Sequence, residues 1–168
     1  LQGIIAPSFI SPTGKYIMWY DSKARHYFAW DGTTTRNISQ KIKFPLWNEE
    51  NDTPDDPPPY GVMGWLEGDS LVSVYDRYNA YALNPDGKSQ PVILNYYDGR
   101  PKKQSFRYVK TDPEERYIIK GQKVLFRIFD EVTKKTALLK PPRKATIFGD
   151  NLIFENYSVS QVKKKKNT

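Results

Sequence analysis

Three stretches of the chain share one local pattern, an apolar run that ends on an aromatic residue followed by aspartate. Successive copies start 55 and 54 residues apart, at Tyr20-Asp21, Tyr75-Asp76 and Phe129-Asp130. A turn glycine precedes each run at the matching place, at Gly14, Gly68 and Gly121. An internal repeat of this kind in a β-rich chain indicates propeller blades, since each copy is one unit that packs against the next.

Composition supports short strands joined by turns. The 168 residues include 12 Tyr, 8 Phe and 4 Trp, together with 13 Pro and 10 Gly, and these residue types favour strands and turns over helices. We therefore predict an all-β fold, a partial β-propeller of about three blades of short antiparallel meander strands. The predicted propeller covers residues 1–168, with blade-like units at 11–39, 61–95 and 106–140 and the start of a further unit at 144–168.

A long insertion separates the first two units. Residues 40–60 contain five prolines and five acidic residues, a composition that excludes a regular helix or strand. We predict an ordered insertion that runs over the surface, pinned by Phe44, Leu46 and Trp47. Loops of this length within compact domains often carry function.

Serine hydrolase chemistry is not expected within the chain itself. A serine nucleophile needs histidine and an acid within hydrogen-bonding reach, and the chain has one histidine, His26, in the middle of an aromatic strand. No Gly-x-Ser-x-Gly motif occurs, so His26 is interpreted as a half-covered strand residue. The absence of cysteine excludes disulfides and thiolate metal sites, and no cofactor is expected.

The candidate binding residues lie in the insertion and shortly after it. Glu49 and Glu50 are candidates to hold the α-ammonium group of a peptide through charge-assisted hydrogen bonds. Tyr60 and Trp65 are candidates to line an apolar pocket, and packing between blades is the alternative for both.

The same loop offers a candidate cation site. Asp52, Asp55 and Asp56 are calcium-ligand candidates, because calcium prefers clustered carboxylate oxygens. The alternative is a solvated acidic loop that offsets Lys41 and Lys43. The repeated aspartates Asp21, Asp76 and Asp130 also have two interpretations, a ring of carboxylates or aspartates that bind turn amides, and their periodicity favours the second.

The net charge of +7 is partly local, since residues 163–166 are four consecutive lysines. Such a tail can bind phosphate or anionic lipid, but a solvated segment or a connection between blades is the preferred interpretation. Arg100, Lys102, Lys103, Arg107 and Tyr108 cluster without a nucleic-acid motif. We therefore expect neither a nucleic-acid nor a membrane partner, and no apolar run approaches the ~20 residues that span a bilayer.

Four segments together resemble a known family. SPTGKYIMWYD, TRNIS, FPLWNEENDTPDDPPPYGVMGW and YDRYNAYALNPDGK are similar to the β-propeller domain of prolyl oligopeptidase family serine peptidases. The similarity is to the exported enzymes of Bacteroidetes-like bacteria that are related to dipeptidyl peptidase IV and the acylaminoacyl peptidases. It covers nearly the whole chain, and its most specific piece is the NEENDTPDDPPPYG loop.

The resemblance implies a role without catalysis by this chain. In that family the propeller sits over an α/β-hydrolase domain and admits short peptides, and the catalytic serine, aspartate and histidine lie downstream of the propeller. None of these three maps onto this chain, so the resemblance implies a non-catalytic propeller fragment that gates and scaffolds access to a hydrolase domain. The implied partners are that hydrolase domain and the peptide substrates of the parent protein.

Three expectations remain. The family's location implies a periplasmic or extracellular parent protein, although the chain carries no signal peptide. Glu49-Glu50 stands in a different local context from the paired glutamates with which dipeptidyl peptidase IV grips peptide N-termini.

Three blades leave sheet edges open, which predicts self-association. The alternative function is a stand-alone β-propeller scaffold that binds a protein partner.

Overall fold

The computed structural model describes residues 8–95, 97–122 and 124–139. These residues form eleven strands in three antiparallel sheets and, within the described ranges, no α-helix. The predicted all-β class is therefore confirmed. The predicted further unit at 144–168 and the lysines at 163–166 lie outside the described residues. In the described part of the chain, no helix is long and apolar enough to cross a membrane.

The first sheet is a four-stranded meander in which each strand pairs with the next along the chain. The two central strands alternate between buried and half-buried residues, with the side chains of Met18 and Tyr27 inside. This alternation follows from the two-residue period of a strand. The strands are β1 (Ser8–Ile10), β2 (Ile17–Asp21), β3 (His26–Trp30) and β4 (Thr35–Asn37).

The second sheet repeats this topology, but both faces of its central strands are covered. Every residue of β6 and β7 is buried, which indicates packing against a neighbour on each side. A single 3₁₀ turn, Glu67–Asp69, joins the first two strands. The strands are β5 (Val62–Trp65), β6 (Val72–Tyr75), β7 (Ala80–Leu83) and β8 (Val92–Ile93).

The third sheet has three strands, again in meander order. They are β9 (Gln104–Tyr108), β10 (Phe126–Asp130) and β11 (Thr136–Leu139). The second and third sheets share a cluster of buried apolar side chains that includes Tyr75, Phe106 and Phe126. A separate cluster joins the first and second sheets, and it includes Met18, Val74 and Leu46 of the insertion.

The sequence repeat corresponds to one local structure in all three sheets. The Oδ1 atom of Asp21 accepts hydrogen bonds from the amides two and three residues later, at 2.9 and 2.8 Å. Asp76 does the same at 2.7 and 2.6 Å, and Asp130 at 3.0 and 2.7 Å. The repeated aspartates therefore bind turn amides, as their periodicity predicted.

Glycine at the start of each repeat has the same geometry. Gly14, Gly68 and Gly121 have φ angles of +80°, +71° and +81°, a region that glycine adopts without the cost that a Cβ atom imposes. One difference appears in the hairpin after the aspartate. The first and third hairpins have four-residue loops that end on Arg25 and Lys134 in left-handed conformation, whereas the second closes over Arg77 and Tyr78 alone.

Successive sheets contact each other through equivalent turns. The turn before β6 places the carboxylate of Asp69 on the amide and hydroxyl of Thr13, in the turn before β2. On the other side of the second sheet, the backbone of Leu66 pairs in parallel with Ile118, whose segment precedes β10. The Trp65 ring also stacks on Tyr16, with 6.0 Å between ring centroids.

The insertion is ordered and pinned to the first two sheets. Its two ends run antiparallel, because Tyr60 donates its amide to the carbonyl of Leu46 at 2.9 Å and Asn48 donates its amide to Pro58 at 2.8 Å. The Leu46 side chain is fully buried, and the Arg25 guanidinium lies 4.7 Å from the centroid of the half-buried Trp47 ring. Phe44 is 40% exposed and is covered on one face by Arg100. The predicted pinning is confirmed.

Candidate functional site

The insertion lies beside the loops that follow the repeated aspartates. The residues directly after these aspartates are Ser22, Arg77 and Glu131, and the insertion contacts the loops of the first and second sheets. Asp56 accepts a hydrogen bond from Ser22 at 3.2 Å and pairs with Lys23 at 2.8 Å. The hairpins therefore place one residue from each sheet at the same end of the molecule.

Arg77 is the centre of this end. Its Nε and Nη2 atoms each bind one oxygen of Glu131 at 3.0 Å, and its Nη2 atom also binds Glu50 at 2.5 Å. The Tyr78 hydroxyl donates to Glu131 at 3.0 Å. This bidentate, charge-assisted geometry is the strong form of an arginine–carboxylate contact. One guanidinium therefore links the second sheet to the third sheet and to the insertion.

The contact between Arg77 and Glu131 favours the charged form of both side chains. Burial raises the pKa of Glu131, but hydrogen bonds from Arg77 and Tyr78 outweigh that effect, so the net pKa is lowered. The same contact with Glu131 raises the pKa of Arg77. The pair is therefore fully charged at neutral pH.

The two candidate glutamates differ in their surroundings. Glu50 shares its carboxylate with Arg77, whereas Glu49 is exposed and no described residue binds its carboxylate. The Glu49 amide donates to the Tyr60 hydroxyl at 3.2 Å, which holds Glu49 beside the half-buried Tyr60 ring. The structure thus brings Glu49, Glu50 and Tyr60 together and leaves Glu49 with a free carboxylate among the described residues.

Trp65 does not belong to this site, which corrects the sequence prediction. Its side chain is buried and stacks on Tyr16 between the first and second sheets. The physical reason is its place at the end of β5, where a large apolar ring closes the interface between two sheets. The alternative, packing between neighbouring units, is confirmed for Trp65.

The geometry does not support a calcium site at Asp52, Asp55 and Asp56. Within the described ranges, no three acidic or histidine side chains converge in a way that could hold a metal ion. Asp56 is instead occupied by Lys23 and Ser22. Asp52 and Asp55 are exposed on the loop, so the three carboxylates remain separate.

A buried ion pair between Asp76 and Arg100 stabilises the loop that carries Arg77. Asp76 is completely buried, and its Oδ2 atom binds Arg100 at 2.6 Å and the Tyr81 hydroxyl at 2.9 Å. The Arg107 guanidinium binds the backbone carbonyls of Asp76 and Arg77, both at 3.1 Å, and burial lowers its pKa. These contacts fix the backbone that carries Arg77.

Arg77 and Glu131 were not predicted as site residues, although the sequence carries a signal for them. Both follow a repeated aspartate directly, so the repeat places them at equivalent positions of neighbouring units. Opposite charges at equivalent positions of adjacent hairpins indicate an ion pair between units. The partnership of Arg100 with Asp76 carries no comparable signal, because Arg100 lies in an irregular segment.

His26 is placed as predicted, on a strand and half-covered. Its Nδ1 atom lies 3.1 Å from the Ser39 hydroxyl, and burial lowers its pKa. Ser39 is fully buried, and its oxygen also accepts the Tyr27 amide at 2.9 Å. A substrate cannot reach this hydroxyl, so the pair is structural.

Comparison of the chain with protein-family models, with curated proteins and with solved structures finds no match in any of the three.

Proposed function

We propose that this chain is a non-catalytic segment of a β-propeller that gates peptide access to a serine peptidase domain of the prolyl oligopeptidase family. The observation that carries the proposal is the contact between equivalent turns of successive sheets, Thr13 with Asp69 and Leu66 with Ile118. Meander sheets that touch through equivalent turns are what adjacent blades around a common axis require. The family rests on the similarity of the four segments described above.

The insertion supplies the gating element of this proposal. It is anchored at Trp47 and at the Arg77–Glu50 pair, and at one end of the sheets it carries the Glu49 carboxylate, which no described residue binds. A carboxylate held in place can bind the α-ammonium group of a short peptide. A propeller with a narrow opening excludes folded proteins by size, and the cleavage itself takes place in the hydrolase domain.

The proposal has a direct biochemical test. The purified 168-residue chain, incubated with prolyl and alanyl chromogenic peptides, should show no turnover. Turnover that survives purification and follows the chain through every column would refute the non-catalytic role. The parent protein should contain a Gly-x-Ser-x-Gly motif and a later histidine downstream of these residues. A parent without them would favour the alternative, a scaffold that binds a protein partner.

The role of Glu49 is tested in the parent protein by kinetics with paired substrates. Glu49→Gln should raise KM for peptides with a free N-terminus and leave KM unchanged for the N-acetylated peptides. Asp52→Asn is the matched control, because Asp52 is an exposed carboxylate of the same loop. Equal effects of the two substitutions, or equal effects on both substrates, would remove Glu49 from the proposal.

A further inference from the structure

A pocket lies between the first hairpin and the start of the insertion. Its volume is about 320 Å³, which lies at the lower end of the range for small-molecule sites. Two buried apolar side chains of the insertion, Ile42 and Leu46, contribute to its lining. Phe44 and Trp47 add two aromatic rings.

The charged groups of this pocket are all basic. Arg25 and Lys43 contribute to its lining, together with His26, and none of the described residues that line it is acidic. Among the described residues, neither Arg25 nor Lys43 has a carboxylate partner within salt-bridge distance. The nearby carboxylate of Asp56 is occupied by Lys23. The pocket therefore combines an apolar lining with two cationic side chains that form no direct ion pair with a described residue, and the charge of Arg25 acts on Asp56 only through space, where it helps to lower the pKa of that carboxyl.

Arg25 is held in a geometry that suits a carboxylate. It occupies the left-handed last position of its four-residue loop, with φ of 57°, and its guanidinium lies 4.7 Å from the Trp47 ring centroid. A guanidinium that stacks on an aromatic ring keeps its edge N–H donors free for a bidentate carboxylate. The stacking also limits the freedom that Arg25 would lose on binding.

We infer that this pocket binds a molecule that carries both a carboxylate and an aromatic ring, with the ring against the apolar lining and the carboxylate on Arg25. This chemistry has two sources, a free aromatic acid and the C-terminal residue of a peptide. The inference does not depend on the proposed peptidase role, since it uses only the geometry of the first hairpin and the insertion.

The inference is tested by isothermal titration of the full chain at low salt. The probes are N-acetyl-L-phenylalanine and its uncharged amide, which differ only in the carboxylate. We expect the acid to bind at least tenfold more tightly than the amide, because hydrogen bonds to charged groups are the stronger ones. Raising the salt concentration should weaken binding of the acid and leave binding of the amide unchanged. Equal affinity of acid and amide would overturn the inference.

Three variants locate the binding. Arg25→Gln should lower the affinity for the acid about tenfold or more, and Arg25→Lys should recover part of it, since lysine keeps the charge but loses the bidentate geometry. Arg127→Gln is the matched control, because Arg127 is an exposed arginine on β10 of a different sheet. An unchanged affinity for the acid in Arg25→Gln, with thermal unfolding like that of the unsubstituted chain, would contradict the assignment.

A second pair of probes distinguishes the two sources. A tripeptide that ends in phenylalanine is titrated with a free C-terminus and again as its amide. Binding of the free-acid tripeptide identifies a peptide C-terminus as a ligand of this pocket. Binding of N-acetyl-L-phenylalanine alone identifies a small aromatic acid. Either result supports the shared chemistry, and binding of none of these probes would overturn it.

Discussion

The backbone amide of Thr13 donates hydrogen bonds to both carboxylate oxygens of Asp69, 56 residues later in the chain, at 3.3 Å to Oδ1 and 3.2 Å to Oδ2. The Thr13 hydroxyl donates a further hydrogen bond to Oδ2. Asp69 is almost completely buried, and this contact joins the turns that precede β2 and β6. Burial raises the pKa of Asp69, but hydrogen bonds from Ser11 and Thr13 outweigh it and lower the pKa overall. The junction between the first two sheets therefore depends on an ionised carboxylate.

The first prediction concerns acid stability. A carboxyl group whose pKa is lower in the folded chain stabilises the fold above its unfolded pKa of about 3.9, and this contribution is lost as the pH falls through the folded pKa. We expect the free energy of unfolding to decrease below about pH 4. Asp69→Asn should flatten this decrease and cost about 1–3 kcal/mol at neutral pH. Urea unfolding between pH 2 and 7 is the measurement, and an unchanged acid slope in the variant would contradict the assignment.

The repeated aspartates should not be equivalent in energy, although they are equivalent in geometry. Asp76 is buried with Arg100, so Asp76→Ala leaves a cation without its partner and should cost about 3 kcal/mol or more. Asp130 binds Gln104 at 2.9 Å besides its turn amides, and its replacement by alanine should cost about 1–2 kcal/mol. Asp21 binds turn amides at the surface, and we expect its replacement to cost least.

Asparagine substitutions separate the two roles of these side chains. Asparagine keeps one oxygen for the turn amides but removes the charge. Asp21→Asn should therefore be close to neutral, whereas Asp76→Asn should remain strongly destabilising. Chemical denaturation of these five variants gives the ranking. A loss of stability at Asp21 as large as that at Asp76 would show that the burial of Asp76 is not the cause.

A double-mutant cycle tests the link between the second and third sheets. Arg77 and Glu131 form a bidentate pair whose side chains are only 23% and 20% exposed, so we expect a coupling energy of about 1 kcal/mol for Arg77→Gln and Glu131→Gln. The matched control is the Lys23–Asp56 pair, in which the lysine side chain is 84% exposed. Its coupling should be smaller, and a coupling at Arg77–Glu131 no larger than this control would contradict the role of Arg77 as a link.

Self-association through sheet edges remains a prediction. β1 pairs only with β2 among the described strands, and its Phe9 and Ile10 side chains are 43% and 69% exposed. An apolar edge strand is a template for pairing with a second copy. Sedimentation velocity should show a concentration-dependent dimer that Ile10→Lys weakens, while Val132→Lys, at another exposed apolar residue, does not. A monomer at all concentrations would contradict this prediction.

The period of the sequence repeat predicted much of the fold. Aspartate and glycine positions located the strand ends and the turns in all three sheets, because each acts through its own backbone and needs no knowledge of distant residues. The same local logic predicted that Leu46 and Trp47 anchor the insertion. The contacts between sheets were not predictable in this way, since they join distant residues, such as Tyr75 with Tyr108, 33 positions apart, and Thr13 with Asp69, 56 positions apart.

For the candidate site too, contacts within one segment were easier to predict from the sequence than contacts between separate segments. Glu49, Glu50 and Tyr60, which the sequence offered as candidates for two different roles, lie close together because the two ends of the insertion pair with each other. Trp65 was wrongly included, since an aromatic residue next to a loop has the same sequence signature whether it faces a ligand or a neighbouring sheet. The repeat carries a signal for the pairing of Arg77 with Glu131, but the additional contact of Arg77 with Glu50 depends on how the insertion meets these two loops, which one sequence does not reveal.

The rotation that relates successive sheets in a crystal structure of the protein tests the central claim most directly. If the sheets are blades, one axis relates the first sheet to the second and the second to the third, with equal rotations of about 45–90°, as 4–8 blades around a ring require. Unrelated axes, or clearly unequal rotations for the two pairs of sheets, would contradict the propeller and the gating role proposed from it.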